Sequence, residues 1–370
     1  MIPFNKPCYL GEEDETISRA LQNNKLSGNG HFGKICTDWL ENQLNCEKAL
    51  LTPSCTAALE LTALLIDAGP GDEIIMPSYT FVSTANAFAL RGASIRFADV
   101  DPATMNISPS AIKQAITSKT KAIVVVHYAG VACDMDAVMN IAQRDNLWVI
   151  EDAAQGLMSS YKGKPLGTIG HFGTISFHET KNYTCGEGGA LIINDIDMIE
   201  RAEIIQEKGT NRQQFFRGMV DKYSWRDIGS SYLLSDINAA YLSVQLHNAK
   251  HILTDRMHSW ESYFNALTDV DEIGIPFIPD SCTHNAHMFY IKTDDGPDLI
   301  DYLAEHDIMA VTHYVPLHSS HAGQLYGEMA GKDQHTTMES ERIVRLPLYY
   351  GIGDETVDYV ASHVKSYFRT

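Results

Sequence analysis

AIVVVH, residues 122–127, carries five apolar residues in succession without a polar break. A strand with one wet face would alternate, so a continuous run of this length suits a strand covered on both faces, as in a parallel sheet. Six further short β-branched or apolar runs surround it: 49–52, 73–76, 95–98, 148–151, 174–177 and 191–193. Amphipathic stretches at 56–67, 83–91, 108–116 and 136–144 fall between them. Strand–helix alternation of this kind predicts an α/β unit around a mostly parallel, seven-stranded sheet. Helices are expected at 196–208 and 235–258. Beyond about residue 250 the order changes: a strand at 287–293, a helix at 299–306, a strand at 309–315 and a terminal helix at 356–367 suggest a smaller α+β domain. The expected division is 1–248 and 249–370, with no flexible linker between the two.

The chain has 370 residues, 44% of them hydrophobic and 20% charged, enough to bury a large core. With 28 Lys and Arg against 47 Asp and Glu, the net charge is −19. A field of that sign repels polyphosphate and argues against nucleic-acid or anionic-membrane partners. Seven cysteines, an odd number with no C-x-x-C pair, argue for free thiols rather than a disulfide framework or a zinc ribbon. The first residues lack the pattern of a signal peptide, and no stretch approaches the ~20 apolar residues of a membrane span. A cytoplasmic protein is expected.

Gly28-x-Gly30-x-x-Gly33 has the spelling of a dinucleotide fingerprint. That chemistry needs a preceding strand, whereas ISRALQNNKLS reads as a helix and then a turn. A loop entering a helix at 34–44 is the better reading, and a nicotinamide oxidoreductase is the weaker one. More informative is TPSCTAALELTALLI, where a strand ends at Thr52 and Ser54 and Thr56 open a helix. Such a start is an ordinary N-cap or, with corroboration, a phosphate cradle. Corroboration comes from WVIEDAAQG and TISFHETKNYTCGEGGA. Asp152 ends an apolar strand, Gln155 follows it, Ser176 sits on another strand, and Lys181 lies in a polar loop bounded by glycines. Each alone reads as structural. Together they supply an amine for a Schiff base, a carboxylate for a pyridinium nitrogen and hydroxyls for a phosphate, which are the needs of pyridoxal 5'-phosphate.

In TPSCTAAL, MPSYTFVSTANA, VHYAG, EDAAQG and SFHETKN…GEGGA the chain resembles the DegT/StrS-type sugar aminotransferases over essentially its whole length. The resemblance implies the aspartate-aminotransferase-like fold (PLP fold type I) and a homodimer with shared active sites. It also implies L-glutamate as donor and a dTDP-linked 4-keto-6-deoxy sugar as acceptor. By the same resemblance Lys181 is the Schiff-base lysine, Asp152 the pyridinium partner and Gln155 the contact of the phenolic oxygen. Thr56, the amide of Ala57, and Ser176 are the phosphate contacts, and Phe81 the ring against the cofactor face. Family members that dehydrate the sugar carry His where this chain has Lys181, so a dehydratase is disfavoured. One departure is Ser231, which stands where the family often has an Asn that reaches the neighbouring subunit's phosphate. His313 and His318, in HYVPLH, are expected near the substrate. Arg212 and Arg217 are candidates for a nucleotide diphosphate, and Glu187 for a turn cap. His284, His287, His313, His318 and His321 could be drawn as metal ligands, but no carboxylate completes such a set and no metal is expected.

Overall fold

The computed structural model describes residues 1–369. Seven strands form in the predicted places: β1 (Lys48–Thr52), β2 (Glu73–Pro77), β3 (Ser94–Ala98), β4 (Thr120–Val126), β5 (Trp148–Asp152), β6 (Phe172–Ser176) and β7 (Gly189–Ile193). Later strands include β8 (Phe289–Lys292), β9 (Gly327–Met329) and β10 (Ile343–Leu346), and three two-residue strands at 160–161, 164–165 and 282–283 form a small sheet of their own. The central sheet has eight strands rather than seven, in the order β1-β7-β6-β5-β4-β2-β3-β9. Only β7 runs against the rest. The extra strand is β9, three residues long, which pairs in parallel with β3. A Cβ on Gly327 would stand 2.5 Å from the Ile95 carbonyl, so glycine is what lets β9 dock there. A Gly-Glu-Met triplet has no apolar run, and its sequence gives no strand signal.

β4 shows why the continuous run was needed. Ile123 and Val125 join one apolar cluster, and Ala122 and Val124 the other, on the opposite face. The first face is covered by α1 (His31–Leu44), through Phe32, Cys36, Leu40 and Leu44. The second is covered by α2 (Cys55–Leu65) and α3 (Val82–Ala89), through Leu59, Leu61, Ala87 and Phe88. α4 (Met135–Asp145) and α5 (Asp236–His247) complete the first face.

The predicted helix over 235–258 is two helices, α5 and α6 (Ala249–Leu267), meeting at Asn248. At Asn248 the backbone leaves helical geometry (φ −96°, ψ 14°), and its side chain donates to the Val244 carbonyl at 3.0 Å beside the backbone bond to the same oxygen at 3.1 Å. A third apolar cluster draws on α6, α7 (Gly296–Glu305), α8 (Asp354–Phe368) and the antiparallel pair β8–β10. The predicted strand at 309–315 does not form: the segment pairs with β10 at a single bridge, Val311 to Arg345. Its next residues leave the edge to carry His313 and Tyr314 against Tyr79 and Tyr128.

The glycine loop before α1 is settled by its neighbours. The Asp236 carboxylate accepts the Gly33 amide at 2.8 Å, and a Cβ on Gly30 would lie 2.4 Å from the Asp236 Cγ. The anion at this helix start is therefore a side chain of α5, and the glycines exist to admit it.

Candidate active site

Parallel strands bring their carboxyl ends to one edge, where ligands collect in open α/β sheets. A cavity of about 390 Å³ lies there. From the sheet side it is lined by Thr56, Phe81, Asp152, Gln155, Ser176 and Lys181, so six of the seven predicted cofactor residues come together. His287, His313, Tyr314 and Arg345 close it from the C-terminal part of the chain.

Asp152 is buried at the end of β5. Thr84 Oγ1 donates to its Oδ2 at 2.8 Å, and the Ala154 amide to its Oδ1 at 3.2 Å. Burial raises the Asp152 carboxyl above the ordinary carboxylate range, and these two bonds oppose the rise. Its neighbour Glu151 points to the other face, where it accepts the amides of Gly167, Ile169 and Gly170 and so fixes the loop after β5.

Lys181 stands in the loop after β6, its amide bonded to the His178 carbonyl. Among the described residues its amine has no hydrogen-bond or ion-pair partner. Burial lowers its pKa from the ordinary lysine value, while the nearby Cys55 and Asp152 work against that fall. A desolvated amine with no acceptor thus shares one cavity with a desolvated carboxylate, an arrangement that marks a candidate reactive site.

Three hydroxyls line the cavity, two at the starts of helices and one at the end of β6. Thr56 Oγ1 and Ser83 Oγ, at the openings of α2 and α3, lie 2.7 Å apart, and Ser176 Oγ accepts the His178 amide at 3.4 Å. Ala57, the seventh expected cofactor residue, is placed apart from the other six. Its amide donates to Ser54 Oγ at 3.1 Å, an N-cap, and Ala57 does not line the cavity. The first-turn amides of Cys55 and Thr56 have no intrahelical acceptor and remain to face an anion. β7 can pass beneath this helix start because its first residue is Gly189, whose Cβ would meet the Cys55 nitrogen at 2.4 Å.

Gln155 uses both ends of its amide, accepting the Ala129 N–H at 2.7 Å and donating to Tyr314 Oη at 3.0 Å. Phe81 sits at the mouth, 55% exposed, with its ring centroid 6.1 Å from that of Tyr314. His313 stacks on Tyr314 and has its Nδ1 2.8 Å from Tyr128 Oη. Burial, with Arg345 and Lys181 nearby, holds it well below the usual histidine range, so the ring is neutral. Glu187, expected as a turn cap, also lines the cavity.

Two predicted substrate residues lie elsewhere. His318 bonds Ser78 Oγ through Nδ1 at 2.7 Å and approaches Asp333 through Nε2 at 3.2 Å, and it does not line the cavity. Arg212 pairs with the buried Glu207 at 3.0 Å in a separate cavity of about 540 Å³, which Lys25, Lys208 and Ser231 also line. Arg217 pairs with Glu203. Conversely, Thr84, Tyr314 and Arg345 were missed. Thr84 falls within MPSYTFVSTANA and Tyr314 within HYVPLH, so both motifs held the signal; RLPL around Arg345 held none.

A family model described as the DegT/DnrJ/EryC1/StrS aminotransferase family matches residues 7–365. The spore coat polysaccharide biosynthesis protein SpsC of Bacillus subtilis (strain 168) is 30% identical over 375 residues, covering 98% of this chain and 96% of that protein. The aminotransferase TlmJ from Streptoalloteichus hindustanus superposes with a TM-score of 0.92 at 28% identity, covering 99% of this chain and 98% of that one. The sugar aminotransferase Spr1654 from Streptococcus pneumoniae, described as putative and solved in a PLP form, gives 0.90 at 25% identity, over 100% and 98% of the two chains. With the match running from residue 7 to residue 365, this chain belongs to the DegT/DnrJ/EryC1/StrS aminotransferase family.

Proposed function

We propose that the protein transfers the amino group of L-glutamate to C4 of dTDP-4-dehydro-6-deoxy-D-glucose, giving dTDP-4-amino-4,6-dideoxy-D-galactose and 2-oxoglutarate. Its cofactor is pyridoxal 5'-phosphate. The observation that carries the reading is the partnerless Lys181 amine in one cavity with the buried Asp152 carboxylate. The choice of acceptor rests on TPSCTA, EKGTNR, FFRG, RDIGSSYL and NAHMFYIK, which resemble the transaminase of that sugar in enterobacterial common-antigen synthesis.

The residues present fit the cofactor. Thr56, Ser83 and Ser176 with the first turn of α2 would hold its phosphate, Asp152 its ring nitrogen, Gln155 and Phe81 the ring, and Lys181 its aldehyde carbon. When bound, the cofactor supplies an electron sink for the carbon that bears the amine. Asp152, as an anion, would keep a proton on the cofactor's ring nitrogen, and Thr84 holds that carboxylate in place. Lys181, its pKa lowered by burial, is an amine that can be neutral at working pH. It takes the proton from the glutamate Cα in the first half-reaction and delivers one to the sugar C4 in the second. Tyr314 on the cavity wall, backed by Tyr79 and by Tyr128 behind His313, would exclude water from that transfer.

The fold as we propose it divides at the Asn248 bend into a cofactor-binding unit, 1–248, and a smaller unit, 249–370, with β9 returning to the large sheet. We further propose a cytoplasmic homodimer. The support for pairing is an apolar surface beside the second cavity, where Phe216, Met219, Tyr223 and Trp225 are exposed, Trp225 by 81%.

The test offers the purified, cofactor-saturated protein L-glutamate with a panel of nucleotide-linked 3- and 4-keto sugars and identifies products by NMR. The 4-amino-galacto product is expected from the dTDP-4-keto sugar. Turnover confined to a 3-keto sugar, or none with any member, contradicts the assignment.

A further inference from the structure

His287, two residues before β8, lines the main cavity from the C-terminal part of the chain. A chain of amides fixes its ring. The Asn182 side-chain nitrogen donates to the Asn285 carbonyl at 2.8 Å, which leaves Asn182 Oδ1 to face His287 Nδ1 at 3.0 Å. An amide oxygen only accepts, so Nδ1 carries the proton and Nε2 is a bare acceptor. The backbone is held here too, because Arg256 donates to the His287 carbonyl at 2.8 Å. His313 differs, since its Nδ1 meets the hydroxyl of Tyr128, which can give or take a proton. Among the described residues nothing donates to His287 Nε2, and the residue, 7% exposed, is open to the cavity.

Burial, with Lys181, Arg256 and Arg345 nearby, holds the ring well below the usual histidine range, so it stays neutral. It is an acceptor in the working protein rather than a base. A desolvated acceptor without a donor is costly, so a bound molecule is expected to supply one. Other acceptors on the wall are engaged, Asp152 by Thr84 and Ala154, and Gln155 Oε1 by Ala129. The nearby cations repel an ammonium donor and leave a hydroxyl unopposed. Glutamate has no alcohol hydroxyl, whereas a hexose has several. Lys181, which would deliver the proton to C4, is among the groups close enough to act on this ring. Of the two carbons beside C4 in a 4-keto-6-deoxy hexose, C3 bears a hydroxyl, and C5 bears no donor.

We propose that His287 Nε2 accepts the C3 hydroxyl of the sugar and so selects an acceptor that is hydroxylated beside the reacting carbon. This rests on the transaminase reading above. The test is calorimetric titration of the PLP-loaded protein with unreactive 4-hydroxy sugars, dTDP-6-deoxy-D-glucose and its 2-deoxy and 3-deoxy counterparts, for wild type and His287→Phe. In wild type the Kd is expected to rise roughly ten- to hundredfold when the C3 hydroxyl is lost, and much less when the C2 hydroxyl is lost. In His287→Phe the parent and 3-deoxy sugars should bind alike, with dTDP affinity and cofactor absorbance at wild-type levels. Equal Kd values for the parent and 3-deoxy sugars in wild type, a loss that follows the C2 hydroxyl instead, or a preference that survives in His287→Phe overturns the assignment. Should His287→Phe fail to fold, His287→Asn, whose side chain is too short to reach, must lose the preference, and its retention overturns the assignment equally. Wild-type protein that shows the C3 preference yet turns over no keto sugar would sink the transaminase reading and leave the hydroxyl site standing.

Discussion

Asp152 shows how a single side chain is set between stability and chemistry. Burial raises its carboxyl, so the folded chain holds the proton more tightly than the unfolded chain does. The folded state therefore loses stability, relative to a neutral side chain, as pH rises through and above the ordinary carboxylate range. Asp152→Asn should remove that penalty: in cofactor-free protein its Tm should match wild type near about pH 4 and exceed it by about pH 7. A Tm difference that does not change with pH would contradict the burial argument. The same substitution should lower kcat by about 10² or more, because a neutral amide does not keep the ring nitrogen protonated. Steady-state kinetics with saturating cofactor checks this, and full kcat in the variant would remove Asp152 from the chemistry.

Among the elements, the start of α2 is the most exacting. Gly189 lets β7 pass beneath it, and Gly189→Ala should push the Cys55 amide away and cost about 1–3 kcal/mol. Weaker retention of PLP should accompany the loss, measured by thermal melts and dialysis. A variant of wild-type stability and cofactor affinity would show that the helix start adapts freely. This element was largely legible in TPSCTAALELTALLI, because a Ser cap and an apolar run are local signals. β4 was legible for the same reason, a two-sided apolar run. β9 was not, since Gly327–Met329 becomes a strand only by close approach to Ile95 on β3. The 309–315 segment misled in the other direction: its β-branched and aromatic residues serve the cavity wall rather than a ladder. Lys181, Asp152, Gln155 and Ser176 could be placed because two short motifs carry them. Arg345 could not, because its place on the cavity wall is visible only in the folded chain.

At the scale of the molecule, the cavity exists because the C-terminal part of the chain closes over the edge of a sheet built, apart from β9, from the first 193 residues. His318 is a clasp between the two, bonded to Ser78 after β2 and to Asp333. His318→Ala should loosen the segment that carries His313 and Tyr314. KM for the sugar nucleotide should then rise about tenfold, the value of one charge-assisted bond, while cofactor absorbance persists. An unchanged KM would mean that the segment is held by its aromatic contacts alone. All of this presupposes the role of one amine. Borohydride reduction of the freshly prepared, PLP-saturated protein, followed by peptide mass spectrometry, should find a pyridoxyl group on Lys181 and none in Lys181→Ala. An unlabelled Lys181 peptide, or equal labelling of the Lys181→Ala protein, would contradict the account.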